Sequence, residues 1–356
     1  MAVYTQIDNP ELYMQVKLYS GNGSDDHAIT FDQTDTSMQA DMVWMKSRTQ
    51  SGYNHYLVDS VRGVTKAIRP NLTNDEDTYS DAFKSFDSNG FTLDDDTSNS
   101  EINQNTKTYV AWCWKAGGSA SSNTNGSTTS SVSANTTAGF SIATYPGNGS
   151  SGATIGHGLS TTAPKIVLIK KRSAADSWTM LNTNIDLNKY LKLNGNDAEV
   201  SDPMFNNTAP TTSVFTVDSD GQVNENSNTF VAYCFSEVQG FSKFGSYPGN
   251  GNADGTFVYT GFKPAVVIMK CSSDGSTPWL IWDNKRPGYN VTNLRLRPDT
   301  NNAEDTSTAD PIDLLSNGFK CRGSNDDSNK SGSTYIYMAF AEAPFVNSSG
   351  VPNNAR

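Results

Sequence analysis

Short apolar runs, separated by glycine, proline and asparagine, make up the hydrophobic pattern of this chain. The runs IVLIK (166–170) and VVIMK (266–270) are continuously apolar, which is typical of central strands buried on both faces. The run TYVAWCW (108–114) alternates, so its residues divide between two faces. One face carries Tyr109, Ala111 and Cys113, and the other carries Val110, Trp112 and Trp114. Since no long stretch has a helical period, the sequence predicts a protein made almost entirely of strands.

Four landmarks occur three times in the same order. The first is a glycine-rich phrase: YSGNG (19–23), YPGNG (145–149) and YPGNG (247–251). The second is an apolar strand ending in lysine: MVWMK (42–46), IVLIK (166–170) and VVIMK (266–270). The third is an aromatic strand: HYLVD (55–59), WTMLN (178–182) and WLIWD (279–283). The fourth is a turn before a final strand: DSNG (87–90), DSDG (218–221) and LSNG (315–318), leading to TYVAWCW (108–114), TFVAYCF (229–235) and TYIYMAF (334–340). A repeat with so long a period indicates three small domains.

The repeats predict an all-β fold of three tandem antiparallel β-sandwich modules, jelly-roll or lectin-like. A tract rich in serine, threonine, asparagine and glycine separates the first two modules, and its composition predicts a flexible or irregular linker. The predicted divisions are an N-terminal arm (1–11), module 1 (12–116), the linker (117–138), module 2 (139–237), module 3 (238–346) and a C-terminal tail (347–356).

The glycine-rich phrase is better explained as a turn than as a ligand loop. Pro146 and Pro248 suit the second position of a type II turn, with Gly147 or Gly249 third. In the first copy serine replaces proline while the glycines persist, which indicates selection for backbone shape. The predicted structural turn residues are Gly21, Gly23, Gly147, Gly149, Gly249 and Gly251.

No set of residues in the sequence dictates a chemistry. Cys113 and Cys234 are equivalent, and Ala339 occupies the third copy, so these positions predict small buried side chains rather than bonds or metal ligands. The histidines lack a paired nucleophile motif. We therefore expect no catalytic residues, no cofactor and no metal site, with adventitious Ca²⁺ at acidic loops as the alternative. The three lysines that end the second landmark are expected to be strand ends that reach solvent.

Aromatic residues supply the candidate binding surfaces. Trp112 and Trp282 occupy repeated apolar strand positions, which favours packing in the core. Trp178 and Trp279 lie at loop edges, and they are the predicted surface-binding residues.

Composition narrows the classes of partner. The chain has 356 residues and a formal net charge of −11, which argues against nucleic acid as a ligand. No apolar run approaches the roughly 20 residues that span a membrane. The opening MAVYTQIDNPELYMQ has no signal-peptide pattern, so we expect synthesis in a cytoplasm without membrane insertion.

Several long motifs resemble known repeat modules. These motifs are similar to segments of virion structural proteins of marine and cyanobacterial tailed phages, which are tail-fibre-like or appendage proteins. They are YTQIDNPELYMQVKLYSGNGS (4–24), TYVAWCWKAGG (108–118), SSVSANTTAGFS (130–141), IGHGLSTTAPKIVLIKKR (155–172) and SNGFKCRG…YIYMAFAEAPF (316–345). The resemblance covers nearly the whole chain and implies no catalytic residues. It implies assembly in the host cytoplasm, location in the virion, other virion proteins as partners and a homotrimer.

Three roles follow from the resemblance. The first is an appendage or fibre-type protein, displayed on the particle, that contacts a host surface glycan or receptor. The second is a capsid decoration protein, either a head fibre or a cement protein, because the chain encodes no shaft repeat. The third is a polysaccharide-binding or depolymerase tailspike. The predicted virion docking segment is residues 1–12, the arm with the first residue of module 1. It would dock through Val3, Tyr4, Ile7 and Leu12, which no repeat explains.

Overall fold

A computed structural model describes residues 4–33 and 36–352 of the chain. Within these residues it is built of antiparallel sheets, with a 3₁₀ helix at Pro10–Leu12 and one short α-helix. We name the three series of landmarks repeat 1 (12–116), repeat 2 (139–237) and repeat 3 (238–346). Helical content is low because the apolar runs are short, rich in β-branched and aromatic residues, and bounded by glycine, proline and asparagine.

The strands of repeat 1 are β1 (Met14–Ser20), β2 (His27–Thr30), β3 (Met42–Ser47), β4 (Tyr56–Asp59), β5 (Lys66–Ala67), β6 (Asp77–Thr78), β7 (Phe83–Asp87), β8 (Gly90–Leu93) and β9 (Thr108–Trp114). The segment before repeat 2 contains β10 (Ser121–Asn123) and β11 (Ser130–Asn135).

The elements of repeat 2 are β12 (Phe140–Pro146), β13 (Ala153–Gly156), β14 (Ile166–Lys171), β15 (Thr179–Asn182), β16 (Lys189–Lys192), β17 (Val200–Ser201), β18 (Val214–Val217), the helix α1 (Gly221–Asn224) and β19 (Thr229–Phe235). The strands of repeat 3 are β20 (Ser242–Pro248), β21 (Phe257–Tyr259), β22 (Phe262–Cys271), β23 (Leu280–Asp283), β24 (Ile312–Leu315), β25 (Gly318–Cys321) and β26 (Thr334–Pro344).

One order of four strands recurs in the three repeats. It is β1-β9-β3-β4 in repeat 1, β12-β19-β14-β15 in repeat 2 and β20-β26-β22-β23 in repeat 3, and every pairing is antiparallel. Each repeat also has a smaller sheet: β2-β8-β7, β13-β18 or β21-β25-β24. The final strand lies second in this order of four in each repeat, so both of its edges are paired.

The predicted linker is not irregular. β10 and β11 form a hairpin that pairs with β12 and extends the sheet of repeat 2, which reaches eight strands with β16 and β17. The prediction of a flexible or irregular segment was wrong because composition alone hides the alternation in SSVSAN (130–135), whose Val132 is buried.

The two faces of β9 pack as the sequence predicted. Tyr109, Ala111 and Cys113 belong to a core confined to repeat 1. Val110, Trp112 and Trp114 face a second core that all three repeats share. β19 divides in the same way: Phe230, Ala232 and Cys234 face a core within repeat 2, and Val231, Tyr233 and Phe235 face the shared core. Each large sheet therefore packs against the other large sheets through the face opposite its own repeat's core.

Three aromatic rings meet in the shared core. They are the equivalent residues Trp114, Phe235 and Phe340, one from each repeat, and their ring centroids lie 5.5–6.4 Å apart in edge-to-face geometry. An apolar cavity of about 30 Å³ is lined by Trp114, Phe235 and side chains from every repeat.

Candidate functional site

Equivalent contacts join each repeat to the next. Glu76 N–H donates to Arg172 O at 2.9 Å, Glu199 N–H to Ser272 O at 2.8 Å, and Glu304 N–H to Arg48 O at 2.8 Å. These bonds join repeat 1 to 2, repeat 2 to 3, and repeat 3 back to 1. We call them junction 1–2, junction 2–3 and junction 3–1. Head-to-tail contacts that return to their start form a closed ring, so the three repeats surround an approximate threefold axis.

The surface-binding prediction for Trp178 and Trp279 was wrong, because both side chains are fully buried. The Trp178 indole N–H donates to Arg69 O across junction 1–2 at 2.9 Å. The Trp279 indole N–H donates to Lys192 O across junction 2–3, also at 2.9 Å. Each tryptophan immediately precedes a strand, β15 or β23, and the neighbouring repeat covers what the sequence shows only as a loop edge.

His55 occupies the equivalent position in junction 3–1. Trp44 Nε1 donates to His55 Nδ1 at 2.9 Å, so the ring proton lies on Nε2, which donates to Arg297 O at 3.0 Å. Burial, together with the Lys46 charge, lowers the pKa of His55 well below its ordinary value. A neutral imidazole therefore does here what an indole does at the other two junctions.

The three repeated lysines are also buried. Lys46, Lys170 and Lys270 are inaccessible to solvent, so the prediction that they reach solvent was wrong. Their ammonium groups donate to backbone carbonyls, and Lys170 donates across junction 1–2 to Thr73 O at 3.0 Å. Burial lowers the pKa of each lysine to about 8.

The glycine-rich phrase does not form the predicted type II turn. β12 and β20 run through Pro146 and Pro248, and neither Gly147 nor Gly249 has a positive φ. Positive φ occurs at the last glycine of each copy, which is Gly23, Gly149 or Gly251. The first glycine of each copy packs closely against the backbone of another segment. A Cβ atom added at Gly21, Gly147 or Gly249 would lie only 2.3, 2.1 or 2.2 Å from a backbone oxygen.

A second asparagine holds each phrase in place. Asn22 N–H donates to Asn103 Oδ1, Asn148 N–H to Asn224 Oδ1 and Asn250 N–H to Asn329 Oδ1, each at 3.0 Å. The tyrosine of each phrase donates to the carbonyl that precedes this asparagine; the pairs are Tyr19 with Ile102, Tyr145 with Val223 and Tyr247 with Ser328. Sequence reasoning missed these asparagines, although each lies six positions before the aromatic residue of a final strand.

The N-terminal arm packs on the protein. Ile7 is buried in the shared core, and Leu12 is half-buried in the 3₁₀ helix. Thr5 Oγ1 donates to Gln239 O. Ile7 is therefore not the free anchor that the sequence predicted, whereas Tyr4 is exposed. Val3 lies outside the described residues, and docking by the arm stays a prediction.

One pocket lies where the repeats differ. Seven positions separate Arg62 from Arg69, and the same number separates their equivalents in repeat 2, but eleven separate Arg286 from Arg297 in repeat 3. The longer loop, with β22, β24 and β26, encloses an open pocket of about 220 Å³. We call it the repeat-3 pocket; its walls include Lys263, Asn284, Tyr289, Asn290, Leu314 and Glu342.

A connected set of polar groups forms one wall of the pocket. Lys263 Nζ lies 2.7 Å from Glu342 Oε1, and Asn284 Nδ2 donates to Glu342 Oε2 at 2.8 Å. The long loop is fixed by Asn290, whose amide exchanges two 2.9 Å hydrogen bonds with the backbone of Leu314. Tyr289 projects from this loop with 73% of its surface exposed.

All four cysteines are buried, as predicted for Cys113 and Cys234, and all four are free thiols. Residues 4–33 and 36–352 contain no group of three histidine, cysteine or acidic side chains placed to hold a metal ion. No helix in these ranges has the length and apolar character needed to cross a membrane.

Comparison with protein-family models matches most of the chain. A protein-family model described as Domain of unknown function (DUF7483) matches residues 9–344. No curated protein and no solved structure matches the chain.

Proposed function

Because the chain belongs to this family of unknown function, we propose a function from its residues and geometry: it is a structural protein of a phage virion, an appendage that contacts the host surface. The proposal depends on a difference between repeated and non-repeated residues. The residues that recur in all three repeats hold the strands together and close the ring. The repeat-3 pocket lies where the sequences of the repeats differ. A body whose repeats are joined by three equivalent junctions, with a surface pocket formed by the long loop of one repeat, suits a displayed recognition protein better than an enzyme.

We further propose that each repeat is a β-sandwich module. In repeats 1 and 2 a separate apolar core contains residues of both the large and the small sheet, which supports two packed layers. In repeat 3 the corresponding residues merge with the shared core. The resemblance to appendage proteins of tailed phages supports a virion location, and the acidic surface suits a protein that works in open water.

Electron cryomicroscopy of particles of a phage that encodes this chain tests the location. We expect density at the tail or baseplate that fits the ring of three repeats. Density confined to the capsid lattice would favour the capsid decoration role, which the compact ring also suits. Absence of the chain from purified particles, measured by mass spectrometry, would refute both roles.

A second measurement tests contact with the host. Purified protein added before infection should compete with phage for adsorption and lower the rate of attachment. Release of reducing ends from host envelope polysaccharide by the same protein would instead support the depolymerase role. A mass measurement in solution tests the predicted homotrimer, and a single-chain mass would contradict it.

A further inference from the structure

The repeat-3 pocket has the chemistry of a saccharide site, and we propose that it binds one sugar unit of a surface glycan. This inference rests on the proposed function, since it names the ligand of the surface-contacting protein. The pocket volume of about 220 Å³ lies below the roughly 300 Å³ at which pockets for drug-sized ligands begin, so the pocket suits a single ring.

The polar wall offers both donors and acceptors. Lys263 Nζ has three N–H groups and makes one contact with Glu342, and each Glu342 oxygen accepts one bond and has capacity for another. Asn284 Oδ1 is buried and makes no hydrogen bond with the described residues. A buried amide oxygen without a donor is unfavourable, which favours a ligand that supplies a donor. A sugar hydroxyl both donates and accepts, so adjacent hydroxyls would satisfy this mixed set.

The apolar part of the pocket fits the other side of a sugar ring. Tyr289 presents an exposed aromatic face at the mouth, and Leu314 contributes apolar surface to the lining. Aromatic rings combine a large apolar surface with few rotatable bonds, which suits them to covering the C–H face of a pyranose.

The loop that carries the tyrosine is fixed before any ligand arrives. Asn290 is bonded to Leu314 at both ends of its amide, and Thr292 exchanges backbone hydrogen bonds with Ile312. A site already held in its binding geometry loses less conformational freedom on binding. The other two repeats have the shorter loop, so we propose one saccharide site in each chain.

Saturation-transfer NMR on the full chain tests the site, with the methyl glycosides of glucose, galactose, mannose and N-acetylglucosamine as probes. We expect transfer to the ring protons of at least one probe. Tyr289→Ala should weaken binding about tenfold, because it removes the aromatic face that covers the sugar ring. Asn284→Ala should also weaken binding.

Tyr259→Ala is the matched control, since Tyr259 is an exposed tyrosine of the same repeat that does not line the pocket. It should bind as the wild type does. No transfer from any probe, or equal binding by wild type and Tyr289→Ala, would overturn the saccharide site. Unchanged thermal unfolding of Tyr289→Ala would show that lost binding does not reflect lost folding.

Failure of the site and failure of the proposed function are distinguishable. Wild-type competition for adsorption without saccharide binding would remove the site and leave the virion role. Saccharide binding by a chain absent from virions would do the reverse.

Discussion

Junction 1–2 and junction 2–3 join neighbouring repeats through the same backbone bond and the same indole contact, yet their side chains differ. In junction 1–2 the buried Asp59 carboxylate accepts from Arg62 Nε at 2.5 Å and from Tyr233 Oη at 2.6 Å. Arg62 also reaches Glu76, which receives two bonds from Arg172. This is a continuous ionic network across the interface.

Junction 2–3 replaces every ionic partner of that network except the glutamate. The replacements, each given with its equivalent in junction 1–2, are Asn182 for Asp59, Ile185 for Arg62, Met338 for Tyr233 and Ser272 for Arg172. The remaining Glu199 pairs within its own repeat, with Lys189 Nζ at 2.5 Å. Junction 3–1 keeps the ionic form, with Trp112 Nε1 donating to Asp283 Oδ2 at 3.0 Å and Arg286 bound to the same carboxylate.

The comparison separates what the ring needs from what it tolerates. The backbone bond and the contact from the first residue of the aromatic strand are present at every junction. The buried ion pairs are present at two, and where they are missing their members have been replaced together. This agrees with the general behaviour of buried ion pairs: apolar groups replace the whole set readily, but loss of one member leaves an uncompensated charge.

The largest effect is expected from breaking one ionic junction singly. Asp59→Asn should lower the free energy of unfolding by about 3–5 kcal/mol, because it leaves the buried Arg62 guanidinium without its carboxylate. Urea denaturation followed by tryptophan fluorescence measures the change. Asn182→Ala is the control at the equivalent position of junction 2–3, and its loss should be about 1 kcal/mol. Equal losses would mean that the ionic network contributes nothing particular.

The next largest effect is expected from removing the indole contact that junctions 1–2 and 2–3 share. Trp178→Phe and Trp279→Phe should each lower the free energy of unfolding by about 2 kcal/mol, since each leaves a buried carbonyl without its donor and a small void. The same denaturation experiment should give similar values for both variants. A loss confined to Trp178→Phe would show that the indole contact matters only beside the ionic network.

Acid should affect the ionic junctions selectively. Burial raises the pKa of Glu76, but hydrogen bonds and charges from Arg172 and Arg62 outweigh it and hold the pKa below its ordinary value; Glu304 behaves likewise with Arg48 and Arg286. A depressed carboxyl pKa contributes stability above about pH 4.5, and that contribution is lost as pH falls through the folded-state value.

Unfolding free energies measured between pH 6 and pH 3 test this. The wild type should lose more stability over that range than the double variant Glu76→Gln, Glu304→Gln. Parallel curves for the two proteins would contradict the assignment.

The smallest net effect should come from transplanting one junction into another. The triple variant Asp59→Asn, Arg62→Ile, Tyr233→Met gives junction 1–2 three of the four replacements found in junction 2–3 and keeps the Glu76–Arg172 pair. We expect its stability to lie within about 1–2 kcal/mol of the wild type, well above that of Asp59→Asn alone. Stability equal to or below that of the single variant would show that the apolar form depends on its own surroundings.

The sequence predicted local structure well and contacts between repeats poorly. The alternation in TYVAWCW (108–114) correctly assigned both faces of its strand, because period-two patterning reports directly on a sheet with two covered faces. The alternation could not show that the face with Val110, Trp112 and Trp114 is covered by the other repeats. Trp178 therefore looked exposed, and Lys46 looked like a strand end that reaches water.

Two further features could have been predicted from the spacing of residues in the sequence. The asparagine that locks each glycine-rich phrase stands at one fixed distance from the next landmark, as Asn103 does from Tyr109. The extra loop length of repeat 3 is visible as the longer interval from Asp283 to Glu304 than from Asp59 to Glu76. The polar wall of the pocket could not be predicted from the sequence, because Lys263 and Glu342 are brought together only by the pairing of β22 with β26.

The two ends of the described chain lie side by side. The Ser348 backbone N–H and side chain both donate to the Asp8 carboxylate, the former at 2.7 Å. Ends that meet can be joined by a short linker, and the chain can then be opened elsewhere. Since every junction uses equivalent contacts, the order of the repeats along the polypeptide is not what holds them together. A circular permutant opened between repeats 2 and 3 should fold to the same ring.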